Sequence, residues 1–293
     1  MKLRHRDGTQ IEIQDGQEKL LERLYGNAFG RMLLKPLVNP MVSKLGGWFL
    51  STKTSCMLID SFIRNNNIDM SQFEDTEYKS YNDFFTRKIK AGARVVDENP
   101  NHFISPCDSK LTVLPIDNDC VLTIKNTRYT VASLLRDKKL AKKFEGGQAL
   151  IFRLCVDDYH RYSYVADGTK SRNRFIPGVL HTVNPISNDY FPIYKENSRE
   201  YCLIHTEEFG DMVMMEVGAL LVGKIVNHHE KAQVRRGREK GYFEFGGSTI
   251  VLLLEAGAAQ IDEDILKNSA EGFETKVKLG ERIGKKGAVK KLP

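Results

Sequence analysis

The stretch best suited to covalent chemistry is a glycine-rich turn between two apolar segments, residues 242–245 and 250–254. The turn reads Gly246-Gly247-Ser248-Thr249. Glycine has no β-carbon, so the carbonyl of Gly247 is open to attack. The hydroxyl of Ser248 follows that carbonyl directly and can act as a nucleophile on its own peptide bond. The turn therefore indicates either a chain that cuts itself at 247–248 or an ordinary hairpin turn or bulge.

Three further segments contain candidate acid–base groups. Asp108 follows a proline turn, His160 follows the carboxylates Asp157 and Asp158, and His181 lies within an apolar run. A histidine held by a carboxylate can serve as a base near neutral pH. Each candidate has a structural alternative. Asp108 can cap its turn, His160 can belong to a solvated surface loop, and His181 can be a partly buried packing residue.

The histidines and cysteines do not predict a metal site. His228 and His229 are adjacent, so a strand would point them to opposite faces, and no His-Glu-x-x-His spacing occurs. The five cysteines are odd in number and form no Cys-x-x-Cys pair. We therefore expect reduced thiols, as in the cytosol, and neither a disulfide framework nor a bound metal.

Composition narrows the class of protein. The chain has 293 residues and a net charge of +6, part of it in lysines near the C-terminus. No basic stripe with interleaved aromatic residues is present, so we expect no nucleic-acid partner. The polar N-terminus does not resemble a signal peptide, and no apolar run approaches the roughly 18 residues of a membrane span.

The elements that must position these residues fall into two predicted regions. Residues 1–100 are predicted to be helical, with a charged helix over 17–26 and an apolar segment with scattered cations over 27–50. Pro36 and Pro40 divide that segment into short pieces. It can be a helical hairpin packed on the rest of the protein, or an interfacial element that lies on an anionic membrane.

Residues 101–293 are predicted to be a β-rich catalytic region. Short β-like runs separated by turn residues indicate a mainly antiparallel barrel or sandwich, so the fold class is α+β. A short helix is predicted over 263–268. The predicted strands are 110–114, 121–125, 149–156, 179–183, 199–205, 211–217, 220–226, the pair around the glycine turn, and 277–283.

Taken together, these segments resemble the phosphatidylserine decarboxylases, which are pyruvoyl-dependent enzymes. The resemblance extends over residues 80–255 and is specific in the combination of Asp-Tyr-His-Arg with Gly-Ser-Thr. The matching elements are Asn82-Asp83-Phe84-Phe85-Thr86-Arg87-Lys88, Ser105-Pro106-Cys107-Asp108, Asp158-Tyr159-His160-Arg161, residues 178–185, Val217-Gly218-Ala219 with Val222-Gly223, and Lys240-Gly241-Tyr242-Phe243 leading into Gly246-Gly247-Ser248-Thr249.

The resemblance implies an inactive proenzyme that cuts itself between Gly247 and Ser248. The products would be a β chain of residues 1–247 and an α chain of residues 248–293, and Ser248 would become the pyruvoyl cofactor. That group would form a Schiff base with the serine amine of phosphatidylserine and accept the electron pair released with carbon dioxide, giving phosphatidylethanolamine.

The family resemblance also implies the partners and the location. The substrate would be a phospholipid, and the enzyme would lie peripherally on the cytoplasmic side of the cell membrane. The two chains would form an α/β heterodimer, with further dimerisation left open.

The resemblance further implies a set of site residues. Asp108 matches the aspartate and Ser248 the serine of an Asp–His–Ser set that performs the cleavage. Many members carry a second histidine three residues after the first, and that histidine is the usual cleavage base. Here the position is Ser163. Either His160 serves both cleavage and decarboxylation, which we favour, or His181 or another group supplies the base. Asp158 would orient the site, although its neighbour Asp157 offers the same chemistry.

Three other functions fit parts of the sequence. The same reaction could act on a different lipid with a phosphoserine head group. A non-cleaving, lipid-binding relative is suggested only by Ser163, and the intact Gly247-Ser248-Thr249 speaks against it. A serine hydrolase would need a Gly-x-Ser-x-Gly elbow, which does not surround Ser248.

Overall fold

A computed structural model describes residues 2–12, 25–27, 32, 40–124, 127–182, 193–219, 224–246 and 248–288. Over these residues the chain is a mixed α and β structure made mostly of sheets. The strands are β1 (Lys2–Arg4), β2 (Gln10–Glu12), β3 (His102–Ile104), β4 (Ser109–Pro115), β5 (Val121–Ile124), β6 (Thr127–Thr130), β7 (Gln148–Leu154), β8 (Arg161–Ser163), β9 (Gly168–Lys170), β10 (Arg174–Ile176), β11 (Arg199–Thr206), β12 (Gly210–Val217), β13 (Ile225–Asn227), β14 (Ala232–Val234), β15 (Glu239–Phe243), β16 (Ser248–Leu254), β17 (Ala259–Ile261), β18 (Glu274–Val277) and β19 (Arg282–Lys286). The α-helices are α1 (Pro40–Leu50), α2 (Ile59–Asn65), α3 (Tyr81–Phe85), α4 (Val131–Leu135), α5 (Lys138–Ala141), α6 (Ile193–Glu196) and α7 (Glu263–Ala270), and short 3-10 turns occupy Lys53–Leu58, Met70–Gln72 and Lys142–Phe144.

The largest sheet has eleven strands and two open ends. Its order is β14-β9-β11-β12-β16-β7-β4-β18-β1-β2, and β10 pairs with β11 beside this path. Its neighbours run antiparallel except for β1 and β18. Three smaller sheets have the orders β13-β15-β8, β17-β19-β3 and β5-β6. The antiparallel prediction is confirmed, whereas the described strands do not close into a barrel.

The central strand β16 is buried on both faces. Ile250 and Leu252 belong to one apolar cluster, and Val251 and Leu253 belong to a second cluster on the opposite face. This explains why the sequence there is continuously apolar rather than alternating. Each such side chain stabilises the fold by roughly 1.5–3 kcal/mol relative to an exposed one. The strand that begins at Ser248 is therefore held by packing on both of its faces.

Different layers cover the two faces of the large sheet. Leu134 of α4 and Ile193 of α6 pack in the cluster that contains Val251. Tyr162 of β8 and Phe243 of β15 pack in the other cluster. The sheet therefore lies between a helical layer and the small sheets, and one of those small sheets leads into the glycine turn.

The N-terminal region is only partly helical where the structure describes it. Leu3 of β1 is buried and lies in register with Glu274 of β18, so the start of the chain completes the large sheet. Residues 17–24 of the helix predicted over 17–26, and residues 28–31 and 33–39 of the segment predicted over 27–50, lie outside the described residues. Helices α1, α2 and α3 follow. In the described parts of the chain, none of the helices combines the length and the apolar character needed to cross a membrane.

Three predicted strands differ from the structure. Residues 179–182 form no strand, because Val179 makes only an isolated bridge to Asn197, and residue 183 lies outside the described residues. Residues 220–223 are also outside them, and the strand there is Ile225–Asn227. The predicted strand 277–283 is wrong, because Gly280, with φ +81°, turns the chain between β18 and β19.

Candidate active site

A tight turn after β7 brings the histidine candidate beside the start of β16, which pairs with β7 and begins at Ser248. The N–H of Asp158 donates to the carbonyl of Cys155 at 3.0 Å, and the carboxylate of Asp158 accepts the N–H of Cys155 at 2.7 Å. His160 follows, and its carbonyl accepts the N–H of Phe243 in β15 at 3.0 Å. The turn therefore places His160 between the two strands that flank the glycine turn.

The imidazole of His160 is completely buried and has one free nitrogen. Nδ1 lies 2.8 Å from the carbonyl oxygen of Asp158, an acceptor, so Nδ1 carries the proton and Nε2 presents a lone pair. Nε2 has no hydrogen-bond partner in the described chain. The ring packs on Phe85 with 4.1 Å between ring centroids. Burial, assisted by the charges of Arg87 and Lys110, lowers the pKa of His160 to about 3. The imidazole is therefore a neutral base at pH 7.

Ser248 is the counterpart of that nitrogen. Its side chain is fully buried at the first position of β16, and its Oγ has no partner among the described residues. Gly246, two residues earlier, has φ +133°, which residues with a side chain rarely adopt. The backbone of Gly246 also interacts with His160, opposing the drop in the pKa of the imidazole. Gly247, and with it the predicted scissile bond, lies outside the described residues.

The α3 segment fixes the approach to the glycine turn. The Oδ1 of Asn82 accepts the N–H of Phe245 at 3.2 Å, and its Nδ2 donates to the carbonyl of Gly47 at 3.2 Å and to the Oγ of Ser51 at 2.9 Å. The ring of Phe245 lies 5.1 Å from that of Phe85, which also packs on the imidazole. The Asn-Asp-Phe-Phe segment therefore holds the turn and the base in one cluster.

Asp108 is held by other partners. Both of its carboxylate oxygens pair with the guanidinium of Arg94, and Oδ1 also accepts the N–H of Leu279 at 2.8 Å. Hydrogen bonding to this carboxylate raises the pKa of Arg94. Within the described residues, the side chain of Asp108 makes no hydrogen bond to His160 or Ser248. The structure therefore gives Asp108 an ion pair with Arg94, separate from His160 and Ser248.

The position of Ser163 is consistent with this arrangement. Its N–H donates to the carbonyl of Pro106 at 2.9 Å, so residue 163 lies against the turn that carries Asp108. The side chain of a histidine at position 163 would therefore begin next to the turn that carries Asp108. Serine has no basic nitrogen, and in this chain the guanidinium of Arg94 binds the aspartate.

The carboxylates of Asp157 and Asp158 also lie near a positive charge. Lys110 Nζ lies 2.5 Å from Asp158 and 3.9 Å from Asp157, whose side chain is 47% exposed. Possible ligand atoms of Cys155, Asp157 and Asp158 lie within 4.8 Å of one another, the described group that comes nearest to a metal site. However, Arg153 Nη1 lies 2.8 Å from the Cys155 sulfur, and Lys110 contacts Asp158. Two positive charges next to the group oppose cation binding.

His181 is buried beside α6. Its N–H and carbonyl are both bound by the side chain of Asn197, at 3.0 and 2.8 Å. Its Nε2 lies 3.8 Å from the Glu196 carboxylate, and its ring lies 6.0 Å from that of Tyr25. Burial lowers the pKa of His181. These contacts account for the residue as a packed, hydrogen-bonded histidine.

Sequence reasoning missed the cations of this region. Lys110 lies in a strand that is otherwise largely apolar, and a charge in such a run is a recognisable sign of a buried ion pair. Arg94 lies in an irregular segment between the two predicted regions, where neither periodicity nor a motif marks it. Arg87 lies in the matched segment 82–88, but that motif by itself indicates no role for the residue.

Comparison with known proteins supports the same reading. A family model described as phosphatidylserine decarboxylase matches residues 81–285. The chain is 49% identical over 274 residues to phosphatidylserine decarboxylase proenzyme 2 of Clostridium acetobutylicum, covering 93% of each chain. It is 40% identical over 274 residues to the phosphatidylserine decarboxylase proenzyme of Clostridium tetani, covering 92% of each. It is 41% identical over 272 residues to that of Ruminiclostridium cellulolyticum, covering 91% of each.

Proposed function

The chain belongs to the phosphatidylserine decarboxylase family, and from this membership we propose that it is a self-processing proenzyme that converts phosphatidylserine to phosphatidylethanolamine. The observation that carries the proposal is that two polar atoms close to Gly246 in space or in sequence, Nε2 of His160 and Oγ of Ser248, have no hydrogen-bond partner among the described residues. Both are fully buried. A buried polar atom without a partner costs about 1–3 kcal/mol, so such pairs call for a functional explanation.

Self-cleavage begins with a proton transfer between these two atoms. The Nε2 lone pair of His160 takes the hydroxyl proton of Ser248, whose oxygen attacks the carbonyl carbon of Gly247. The peptide C–N bond breaks, its nitrogen gains a proton, and an ester joins the two residues. Loss of the Ser248 α-proton then breaks the Cβ–O bond, and the electron pair leaves with the new carboxylate of Gly247. The remaining dehydroalanine adds water and releases ammonia, which leaves a pyruvoyl group at the start of the α chain.

The setting of Ser248 suits this group. Its side chain makes no hydrogen bond within the described parts of the chain, and the residue starts a strand that is buried on both faces. The pyruvoyl group supplies a carbonyl that accepts the electron pair released when carbon dioxide leaves the substrate. His160, stacked on Phe85 and hydrogen-bonded through Nδ1, is the group we assign to proton transfer at the reacting carbon, since Nε2 can take a proton from the substrate ammonium and pass it on. Asp108 keeps the adjoining turn in place through Arg94 and Leu279.

We also place the enzyme peripherally on the cytoplasmic face of the cell membrane. Met41, Leu45 and Trp48 of α1 are 70%, 67% and 71% exposed. Their spacing of four and three residues puts them on one side of the helix. An exposed apolar helix face that includes a tryptophan suits the boundary between head groups and acyl chains. The lipid substrate would then reach the site from the membrane surface.

Intact mass spectrometry under denaturing conditions tests the proposal. We expect two chains, residues 1–247 and an α chain that begins with a ketone in place of Ser248. The purified protein should then form phosphatidylethanolamine from phosphatidylserine vesicles. A single full-length species without product would overturn the proposal. Cleaved protein that is inactive on phosphatidylserine would redirect the search to other lipids with a phosphoserine head group.

A further inference from the structure

Arg87 is a buried cation without a buried anion. Its residue is 2% exposed, and Nε and Nη2 have no hydrogen-bond partner in the described chain. Its one side-chain hydrogen bond there runs from Nη1 to the carbonyl of Phe84 at 3.3 Å. The guanidinium carbon lies 4.2 Å from the ring centroid of Phe73 and 4.8 Å from that of Phe84. Aromatic faces attract the cation but leave its in-plane N–H groups free.

Arg199 shows how this chain satisfies a buried arginine that has only a structural role. It is fully buried, and burial lowers its pKa to about 10, as it does for Arg87. Its guanidinium donates to four backbone carbonyls at 2.8–3.1 Å, those of Leu134, Lys195, Asn197 and Ser133. Among the described residues no such set of carbonyl acceptors surrounds Arg87, whose Nε–H and Nη2–H are left for an acceptor that is not one of them.

The position of Arg87 next to the reacting residues indicates what that acceptor is. Phe85, two residues earlier, stacks on the imidazole of His160. On the other side, Phe73 lies 6.1 Å by ring centroids from Tyr159, the neighbour of His160. The cation is therefore linked to His160 through two separate packing contacts. Its charge also contributes to the lowered pKa of the imidazole.

We infer that Arg87 is an anion-binding residue that takes an oxyanion of the phosphoserine head group. This inference rests on the proposed function. The free Nε–H and Nη2–H lie on one edge of the guanidinium, which is the fork geometry that binds two oxygens of a phosphate or a carboxylate. Ser248, which must react, is equally buried. Arg87 is therefore no more buried than Ser248, which must also contact the substrate.

The head group offers two oxyanions, the phosphodiester and the carboxylate that leaves as carbon dioxide. They are distinguished by glycerophosphoethanolamine, a soluble molecule that has the phosphodiester and no carboxylate. If Arg87 binds the phosphate, its loss weakens the binding of both the substrate and this inhibitor. If it binds the carboxylate, its loss weakens the binding of the substrate only.

The test compares Arg87→Gln and Arg87→Lys with Arg199→Gln, in which a buried arginine of purely structural role is removed. For each protein, self-cleavage is measured by intact mass, thermal stability by its midpoint, and KM with short-chain phosphatidylserine in detergent micelles. The inhibition constant of glycerophosphoethanolamine is measured alongside. We expect Arg87→Gln to raise KM by about 10- to 100-fold, the loss of a charge-assisted hydrogen-bond pair. Arg87→Lys, which keeps the charge without the fork, should lie in between.

Arg199→Gln should lower the thermal midpoint with KM within about twofold of the wild type. An unchanged KM and inhibition constant in cleaved Arg87→Gln or Arg87→Lys would overturn the inference, whatever happens to stability. If Arg87→Gln does not fold, Arg87→Lys decides alone. A wild-type protein that neither cleaves nor decarboxylates would instead contradict the proposed function, so the two failures are distinguishable.

Discussion

His160 is oriented by the backbone of Asp158 and not by a carboxylate. Its Nδ1 lies 2.8 Å from the carbonyl oxygen of Asp158, while the carboxylate of the same aspartate pairs with Lys110 at 2.5 Å. The tautomer with a free Nε2 is thus fixed without a negative charge next to the ring. The desolvated imidazole is therefore in its neutral form, with the Nε2 lone pair present, over a broad pH range.

If His160 is the cleavage base, its removal should stop maturation. We expect His160→Gln to slow self-cleavage by about 10²–10⁴-fold, the usual contribution of a positioned base. His181→Gln, the matched variant at the other buried histidine, should still mature into two chains. Intact mass followed over time gives both rates, and circular dichroism checks folding. Rapid cleavage of His160→Gln beside an uncut His181→Gln would transfer the role to His181.

The buried imidazole also predicts a pH dependence of stability. Burial lowers the pKa of His160 to about 3, against 6.5 in an unfolded chain. Between these values the unfolded chain binds a proton that the folded chain does not, so this residue makes stability fall as pH drops below 6.5. The loss should be about 2 kcal/mol at pH 5.

Urea unfolding at pH 7 and pH 5 measures this effect in Ser248→Ala, which keeps the chain uncut, and in the double variant with His160→Gln. The double variant should lose less stability between the two pH values. Equal losses in both proteins would show that His160 titrates normally.

Part of the candidate site was predictable from the sequence, since glycine, serine and histidine motifs mark places where backbone and side-chain chemistry constrain residue type. The family resemblance implies His160 and Ser248 as site residues, and the structure describes both as fully buried side chains. The partner of Asp108 was not predictable, because Arg94 is 14 residues away in an irregular segment. Tertiary packing decides which cation pairs with which carboxylate, and this pairing cannot be read from the spacing of residues in the sequence.

The fold was predicted best where burial controls the pattern. The predicted strands 199–205 and 211–217 agree with Arg199–Thr206 and Gly210–Val217 within one residue, because each is long and has four consecutive apolar residues at its centre. The failure at 277–283 came from Gly280, since a glycine within a short run of mixed apolar and charged residues gives no sign of whether it bends a strand or ends it. The strand Lys2–Arg4 was missed because three residues are too few for an alternating pattern to mark a strand.

The ion pair of Asp108 and Arg94 predicts a separation of stability from catalysis. Both side chains are nearly buried, at 12% and 10% exposure, so either single change, Asp108→Ala or Arg94→Ala, should cost about 3–5 kcal/mol by leaving the partner charge unpaired. The double variant should be more stable than the sum of the single effects predicts. Denaturant unfolding in the Ser248→Ala background measures the cycle.

The same variants with Ser248 intact report on cleavage. If Asp108 takes part in cleavage, as its match to the family motif suggests, the double variant should cleave as slowly as Asp108→Ala. Recovery of both stability and cleavage in the double variant would reduce Asp108 to a residue that only holds the turn.

The exposed face of α1 predicts how the protein meets a membrane. Leu45→Glu with Trp48→Glu removes apolar area from that face and adds two negative charges, so binding to anionic vesicles should weaken by at least about tenfold. The matched control is Phe175→Glu, which alters another large exposed side chain, 59% exposed on β10, away from α1. Vesicle co-sedimentation with phosphatidylserine and phosphatidylglycerol measures binding, and intact mass shows whether each variant has matured. Because the face lies outside the turn that holds His160 and Ser248, cleavage should proceed normally while turnover of vesicle lipid falls. Vesicle binding that is lost equally in the Phe175 variant, or kept in the α1 variant, would rule out α1 as the docking face.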